Sequence, residues 1–357
     1  MKKMTMSKTS RQNFITYAMV TVVYVIFQTL SATGNLSSLM QGLLVPLCTY
    51  SILAVSLNLT VGVLGELSLG HAGFMCVGAF SSAFFTACMK DTITNDLLRF
   101  ILAFIVAAVC AGICGILIGI PVLRLKGDYL AIVTLAFGEI IMNIINALYI
   151  GRDENGFHFS MKDSMSLNMS DSGKIIIKGA QGITGTARQS TFAIGIILLL
   201  LTLVVVLNLM NSRSGRAIMS IRDNRIAAES VGIDITKYKI MAFAISASLA
   251  GLAGCLYAHN LSSLTALPKN FGYNMSIMIL VYVVLGGMAN MRGSIIAAVL
   301  LTIIPELLRE IGEYRMLIYA VIMIVMMIFN WSPKVREWRK AHSIKGAFHK
   351  KNVKEAE

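Results

Sequence analysis

The stretch NSRSGRAIMSIRDNRIAAESVGIDITKYK, residues 211–239, lies between two long apolar runs and is too polar to cross a lipid bilayer. It must therefore stand in water at one face of a membrane. Ile218, Ile221, Ala228 and Val231 recur at near-helical spacing among charged residues. This spacing predicts one or two short helices, each with an apolar side and a charged side.

The end of this stretch carries its own helix signals. Gly232 is placed to stop a helix, and Asp234 or Thr236 is placed to cap the next one. An ordered amphipathic loop between membrane spans is typical of a docking surface for a partner. Contact of its basic residues with lipid headgroups is the alternative interpretation, and its mixed charges and apolar side favour a partner.

The composition of the whole chain indicates a polytopic membrane protein. The chain has 357 residues, 56% of them hydrophobic and 14% charged, with a mean hydropathy of +0.73. The net charge of +13 is placed mainly on one side of the membrane, because the segments assigned to that side carry 21 of the 31 lysines and arginines. This bias is the positive-inside signal and does not indicate a nucleic-acid partner.

The apolar runs predict an all-α fold of about ten transmembrane helices with both termini in the cytoplasm. The predicted spans cover residues 14–30, 39–64, 72–89, 100–122, 129–150, 191–209, 240–258, 275–288, 294–308 and 316–331. The first run is longer than the apolar core of a signal peptide, which favours an uncleaved span over that alternative. We therefore expect a transmembrane permease domain over 1–333, with 211–239 as its cytoplasmic loop, and a basic cytoplasmic tail over 334–357 beside anionic lipid.

Three polar residues mark one face of the fifth predicted span. Glu139, Asn143 and Asn146 follow each other at i, i+4 and i+7, which places them on the same side of a helix. A carboxyl group within a membrane span is by default a functional hypothesis. Hydrogen bonding between helices is the alternative, and the sequence leaves both interpretations open.

Two glycine-containing breaks are further candidates for a substrate path. Gly70 and His71 lie at a break between the second and third spans, and Gly286 and Gly287 break the eighth span. His71 is interpreted first as a structural donor that satisfies backbone groups freed by the glycines, and otherwise as a residue lining the path. The two breaks lack a convincing residue-level repeat.

The sequence excludes several enzyme classes. It contains no GxxxxGK[ST] phosphate loop, no HExxH and no GxSxG motif. The six cysteines fall in or beside apolar runs, without CxxC spacing or a neighbouring histidine, and we expect packing roles for them rather than a metal site. We therefore expect a non-catalytic membrane subunit without a cofactor.

Several motifs resemble one transporter family. They are LSLGHAGF at 67–74, LRLKGDYLAIVTL at 123–135, FGEI at 137–140, SGRA at 214–217, IAAESVG at 226–232 and LGG at 285–287. In this order they are similar to the permease subunits of branched-chain amino-acid ABC importers, within a wider group that includes ribose, nucleoside and urea permeases. The chain departs from the pattern at Met142, at 179–183 and at 223–225.

The resemblance implies a transport role and a set of partners. It implies import of leucine, isoleucine and valine through the bacterial cytoplasmic membrane. The implied partners are a second homologous permease, two ATP-binding subunits that hydrolyse ATP, and an extracytoplasmic substrate-binding protein. The segment 211–239 would then be the coupling loop to an ATPase.

The coupling-loop candidates are Arg222, Asp223, Ala228, Glu229 and Gly232. Transport of urea, a nucleoside or a sugar is the alternative within the group. An ion-coupled secondary transporter that uses Glu139 is the alternative from another class.

Overall fold

The structure of the chain is a computed structural model that describes residues 8–34, 37–125, 127–153, 156–167, 169 and 173–331. The described part is mostly helical. The predicted basic tail over 334–357 lies outside the described residues.

The long apolar runs form the helices of the first half. These are α1 (Lys8–Ala32), α2 (Ser38–Asn58), α3 (His71–Cys88), α4 (Asp96–Val122) and α5 (Asp128–Ala147). A π-helix over Leu59–Leu64 continues α2 directly. Asn95 caps α4 because its side chain accepts hydrogen bonds from the backbone of Leu97 and Leu98. The predicted boundaries of these spans agree with the helices to within a few residues.

The polar region after α5 forms a small sheet. The strands β1 (Tyr149–Asp153), β2 (Gly156–Ser160) and β3 (Lys174–Lys178) pair antiparallel in the order β2-β1-β3. A second pair joins β4 (Ile183–Thr184) to β5 (Ser263–Leu264), which lies much later in the chain. The all-α prediction is therefore incomplete, because the membrane helices carry a short β-structured excursion between α5 and α6.

The second half continues with helices. They are α6 (Phe192–Asn211), α7 (Arg213–Asp223), α8 (Arg225–Ser230), α9 (Ile235–Ala258), α10 (Pro268–Phe271), α11 (Tyr273–Gly286), α12 (Met291–Leu307) and α13 (Arg315–Trp331). The two predicted short helices of the polar stretch are α7 and α8. Asp234 caps α9 by accepting a hydrogen bond from Lys237 N, so α9 begins inside the stretch interpreted as a loop.

Small residues bring the central helices close together. Helix α9 packs against α2, α3 and α4, and its buried face includes Ala247, Ala250, Gly251 and Gly254. A Cβ atom added at Gly115 of α4 would lie 2.6 Å from the Cβ of Ala247. Van der Waals packing of small side chains is how helices associate in lipid, where water gives no hydrophobic drive between them.

Seven helices of the described part are long and apolar enough to cross a membrane. They lie over Asn13–Ser31, Ser38–Leu64, His71–Cys88, Asp96–Val122, Asp128–Ala147, Phe192–Asn211 and Ile235–Ala258. The last three predicted spans are helices as well, but α11 has 14 residues and α12 and α13 have 17 each. At 1.5 Å per residue α11 spans about 21 Å, which is less than the roughly 30 Å of a hydrocarbon core. The predicted count of ten spans is not confirmed.

Contacts divide the chain into two units, one ending at Val299 and one beginning at Leu300. The first unit holds every predicted site residue. One large hydrophobic cluster of this unit includes Ile52, Leu53, Leu57 and Leu59, which are fully buried.

Candidate functional site

The chain between α2 and α3 is broken inside the first unit, as the glycines of this segment predict. The π-helix ends at Leu64, an extended segment follows, and α3 begins at His71. Neighbouring helices satisfy the freed backbone groups. Leu69 N donates to Thr134 Oγ1 at 3.0 Å, and Ala72 N donates to Ser276 Oγ at 3.1 Å. Such pairing is the condition under which a broken helix is tolerated in a membrane.

His71 is held at the first position of α3 by a neighbouring hydroxyl. Its side chain is buried, and Nε2 shares a 2.7 Å hydrogen bond with Ser56 Oγ of α2. Ser246 of α9 donates to the backbone oxygen of the same serine at 2.6 Å. His71 therefore joins α3 to α2, and Ser56 in turn joins α2 to α9. The partner of His71 in this bond is a side-chain hydroxyl, whereas the sequence suggested freed backbone groups. A role in lining the path stays a prediction.

The three polar residues of α5 share one face, and each is bonded to backbone. Glu139 Oε1 accepts a 2.6 Å hydrogen bond from Tyr273 N, the first residue of α11. Asn143 Nδ2 donates to Glu139 O at 2.8 Å, and Asn146 Nδ2 donates to Ala266 O at 2.9 Å. A carboxylate at a helix N-terminus is favoured by the helix dipole and satisfies an otherwise unpaired N–H group.

The N-terminal ends of α3 and α11 therefore both contact α5, at positions about one helical turn apart on α5. The start of α3 lies at Thr134 and Gly138, and the start of α11 lies at Glu139. Gly70 is required here, because a Cβ atom at this position would run into Thr134 O. Broken helices whose N-termini converge are a recurring way to bind anionic groups of substrates in transporters.

Gly286 and Gly287 lie away from this convergence. They end α11, 13 residues after Tyr273, which corresponds to about 20 Å along the helix. Gly286 packs against the backbone of Gly293 and Ser294 at the turn into α12. The structure thus brings Gly70, His71 and Glu139 into one region and leaves the second glycine pair at the other end of α11.

Arg222, one of the coupling-loop candidates, connects the loop to the end of the π-helix. Its Nη1 donates to Gly62 O at 2.9 Å, while Nε and Nη2 bond Asp223 Oδ1 at 3.1 and 3.0 Å. A second connection lies close by in the chain, where Lys239 of α9 forms an ion pair with Glu66 of the extended segment. The polar stretch is therefore attached at two points to the segment that leads into α3.

Asn58 extends this connection to the turn between α11 and α12. Its Oδ1 accepts from Ala289 N at 2.8 Å, and its Nδ2 donates to Ser294 Oγ at 2.8 Å. Ala289 has φ 62°, a conformation that is uncommon for residues other than glycine. One buried amide thus joins the turn that contains Gly287 to the junction between α2 and the π-helix.

Comparison with known proteins decides the family. The family described as branched-chain amino acid transport system / permease component matches residues 39–329. The chain belongs to this family. It is 35% identical over 294 residues to a protein of Salmonella typhimurium named high-affinity branched-chain amino acid transport system permease protein LivM, a match that covers 80% of this chain and 67% of the relative.

Two further relatives carry related names. The Escherichia coli protein of the same name is 33% identical over 294 residues, covering 80% of this chain and 67% of the relative. A probable branched-chain amino acid transport permease protein LivM of Methanocaldococcus jannaschii is 28% identical over 202 residues, covering 55% of this chain and 52% of the relative. No solved structure matches the chain. The family and the long apolar helices together show a multi-pass membrane permease.

The exposed residues of the permease's polar stretch, 211–239, differ in part from those that the helical spacing predicted. Ile218, Ile221 and Ala228 are buried, as their spacing predicted, but Val231 is 75% exposed. Ile226 is 81% exposed and was not among the candidates. The sequence does contain a signal for this exposure, because Ile226 begins the IAAESVG motif. On a helix that packs through Ala228, the residue two positions earlier faces outward.

The remaining coupling candidates are solvent-facing. Asp223, Glu229 and Gly232 are exposed, and Gly232 has φ 84° with nothing within 4 Å of a Cβ atom added there. Ala228 packs with Ile221 and Ile235 inside the stretch. Ala228 thus supports the shape of the loop, whereas Glu229 stands on its surface.

The residues that the structure describes contain no group of three or more His, Cys, Asp or Glu side chains that could hold a metal ion.

Proposed function

We propose that this chain is the permease subunit of an ATP-driven importer that carries leucine, isoleucine and valine across the bacterial cytoplasmic membrane. The observation that carries the proposal is the bond from Arg222 Nη1 to Gly62 O. It joins a solvent-exposed amphipathic segment to the helix end that leads into the break before α3. A displacement of the segment is therefore passed to the start of α3 through rigid elements.

Helices α7 and α8 are the coupling element for an ATP-binding subunit. Ile226 and Val231 are exposed apolar side chains on a segment that is otherwise charged, and Glu229 stands between them in the sequence. Apolar anchors with charged neighbours are the composition expected of a protein interface. We propose two ATP-binding subunits and an extracytoplasmic binding protein as the other components, which the family resemblance implies; the relatives are named as permease proteins of a transport system, which supports the presence of further components.

The exposed face of α5 and the start of α11 form the surface that contacts a second, homologous permease. The substrate path runs along this surface, between the two permeases. Ile140 and Asn143 of α5 and Tyr273 and Ile277 of α11 are exposed. This face lies beside Glu139 and the two converging helix starts. A path between two permeases would give an amino acid access to helix N-termini for its carboxylate and to a carboxylate for its ammonium group.

The test begins with purification of the chain from mild detergent and identification of the proteins that co-purify. We expect an ATPase to co-purify with the unaltered chain. The double variant Ile226→Asp, Val231→Asp should lose it, because both side chains lie on the exposed side of α8. Arg213→Ala, which removes a charge at the exposed start of α7, is the matched control and should retain it.

Coupling is tested separately from docking, with reconstituted complexes. The complex with Arg222→Ala should retain the ATPase but hydrolyse ATP with little uptake, because the bond to Gly62 is lost together with the exposed pair to Asp223, while Ile226 and Val231 are unaltered. Charge reversal in Glu229→Lys should likewise uncouple ATP hydrolysis from uptake. Bulk at Gly232 should also uncouple hydrolysis from uptake, although the positive φ adds backbone strain there. A chain that emerges alone and transports in liposomes without ATP would refute the proposal.

A further inference from the structure

The sheet-bearing side of the first unit contains a cavity that the transport proposal does not use. It has a volume of about 700 Å³ and lies between the end of α3, the start of α4, β1, β3 and the segment after β4. Its size falls within the range of cavities that hold small molecules. The Glu139 region is not among its lining residues.

The cavity has an excess of positive charge among its described lining residues. The basic residues are Lys90, Arg99, Arg152, Lys174 and Lys178. Asp91 and Asp153 are the acidic ones. Asp153 is already engaged, because its Oδ1 accepts from Gly156 N at 3.1 Å and lies 3.1 Å from His158 Nε2. The field in the cavity therefore favours an anion.

Arg99 supplies a buried positive charge to the lining. The side chain is 5% exposed, Nη1 donates to Ile93 O at 2.9 Å, and Nη2 pairs with Asp96. Its Nε is buried and has no hydrogen-bond partner among the described residues. This nitrogen is closed off from solvent, and the other two nitrogens are engaged, so Arg99 contributes positive charge to the cavity rather than a free donor.

Arg152 supplies a second, positioned guanidinium. Its Nη1 donates to Cys88 O at 2.8 Å, and its central carbon stands 5.8 Å from the centre of the Phe157 ring. The bond to Cys88 uses one of five N–H donors. A guanidinium held in place loses little freedom on binding and matches the planar geometry of a carboxylate.

Another part of the lining is apolar. Ala83, Ile176 and Ile183 belong to the lining and to the buried residues of the unit. Apolar walls with a few convergent polar groups are typical of sites for small organic ligands. A small inorganic anion would leave these walls uncovered.

We propose that this cavity binds a small organic carboxylate with an apolar tail, held by Arg152 in the positive field of Arg99 and the lining lysines, among them Lys178. The proposal stands on the cavity itself and not on the coupling to an ATPase. Its test therefore contains neither ATP nor partner proteins, and its failure leaves the transport proposal untouched.

The experiment uses the purified full chain in nanodiscs, with ligand-observed NMR as the readout and empty nanodiscs as the blank. The probes are leucine, 4-methylpentanoate, which lacks the ammonium group, isoamylamine, which lacks the carboxylate, and inorganic phosphate. We expect leucine and 4-methylpentanoate to bind in competition. Isoamylamine should not bind, and phosphate should compete at least tenfold less well.

Variants locate the binding. The double variant Arg152→Gln, Lys178→Gln should raise the dissociation constant of 4-methylpentanoate at least tenfold. Lys162→Gln removes a charge from the same excursion without lining the cavity, and it should leave binding unchanged. Any one of four results would overturn the proposal. They are 4-methylpentanoate binding by the double variant equal to that of the unaltered chain, isoamylamine binding equal to that of 4-methylpentanoate, phosphate competing equally well, and no binding by the unaltered chain.

Discussion

The lack of a side chain at Gly62 allows the π-helix to pack against the turn between α11 and α12. The π-helix approaches the turn between α11 and α12 so closely that a Cβ atom at Gly62 would overlap Asn58 Oδ1 and Ala289 N. The backbone oxygen of the same residue accepts the bond from Arg222. Gly62 therefore carries both the connection to the coupling segment and the contact with the turn.

We expect Gly62→Ala to destabilise the permease by about 1–3 kcal/mol, because overpacking forces backbone shifts in a filled interior. Thermal unfolding of the detergent-solubilised chain measures the effect. Gly42→Ala is the matched control, since nothing lies within 4 Å of a Cβ added there. Equal unfolding temperatures for the two variants would contradict the close approach at Gly62.

Glu139 caps α11, which changes how its substitution should be interpreted. Glu139→Gln keeps an acceptor for Tyr273 N, so we expect a small change in stability, whereas Glu139→Ala should cost about 1 kcal/mol, typical of a lost helix cap. Thermal unfolding and uptake are measured in parallel on both variants. Unchanged uptake by Glu139→Gln would leave Glu139 with a structural role only.

The ion-coupled alternative is tested on the same residue. In a secondary transporter the charge of Glu139 would carry a proton or cation, and uptake would collapse with the ion gradient. The permease proposal expects the reverse dependence: uptake by the reconstituted complex follows ATP and persists after the gradient is dissipated. Uptake that survives ATP depletion would favour the ion-coupled alternative.

At the scale of elements, the ion pair between Lys239 and Glu66 attaches α9 to the extended segment before α3. The side chains are 5% and 19% exposed, so removal of one partner leaves a charge with little access to water. We expect Lys239→Met and Glu66→Gln each to destabilise the chain by about 3 kcal/mol. The double variant Lys239→Met, Glu66→Met should lose less than the sum of the two single variants.

A double-mutant cycle of thermal unfolding measures this coupling. Lys237→Met is the control, because its side chain stands on the exposed side of the same helix turn. Strictly additive losses would show that the two side chains do not interact.

At the scale of the whole molecule, the orientation of the permease is a prediction from charge alone. The excess of lysine and arginine assigns the segment 211–239 to the cytoplasm and the β-structured excursion to the outside. In a variant without native cysteines, Lys162→Cys should react with an impermeant maleimide added to intact cells. Glu229→Cys should react only after permeabilisation. Labelling of both positions from outside would contradict the orientation.

The sequence alone predicted the spans that are long and continuous, because twenty apolar residues have few alternatives to a membrane helix. It also predicted the two short helices of the polar stretch and, as one of two candidates, the cap at Asp234. Each of these depends on neighbours in the chain or on periodicity, which a sequence displays directly.

Only the tertiary structure decided which residues of the candidate site meet. The bond of Glu139 to Tyr273, the bond of Arg222 to Gly62 and the bridge made by Asn58 join residues separated by 134, 160 and 231 positions. The outward side of Ile226 and Val231 likewise follows from how α8 packs. Local patterns set what each segment can form, but partners so distant are chosen by the packing of the whole fold, which no local pattern encodes.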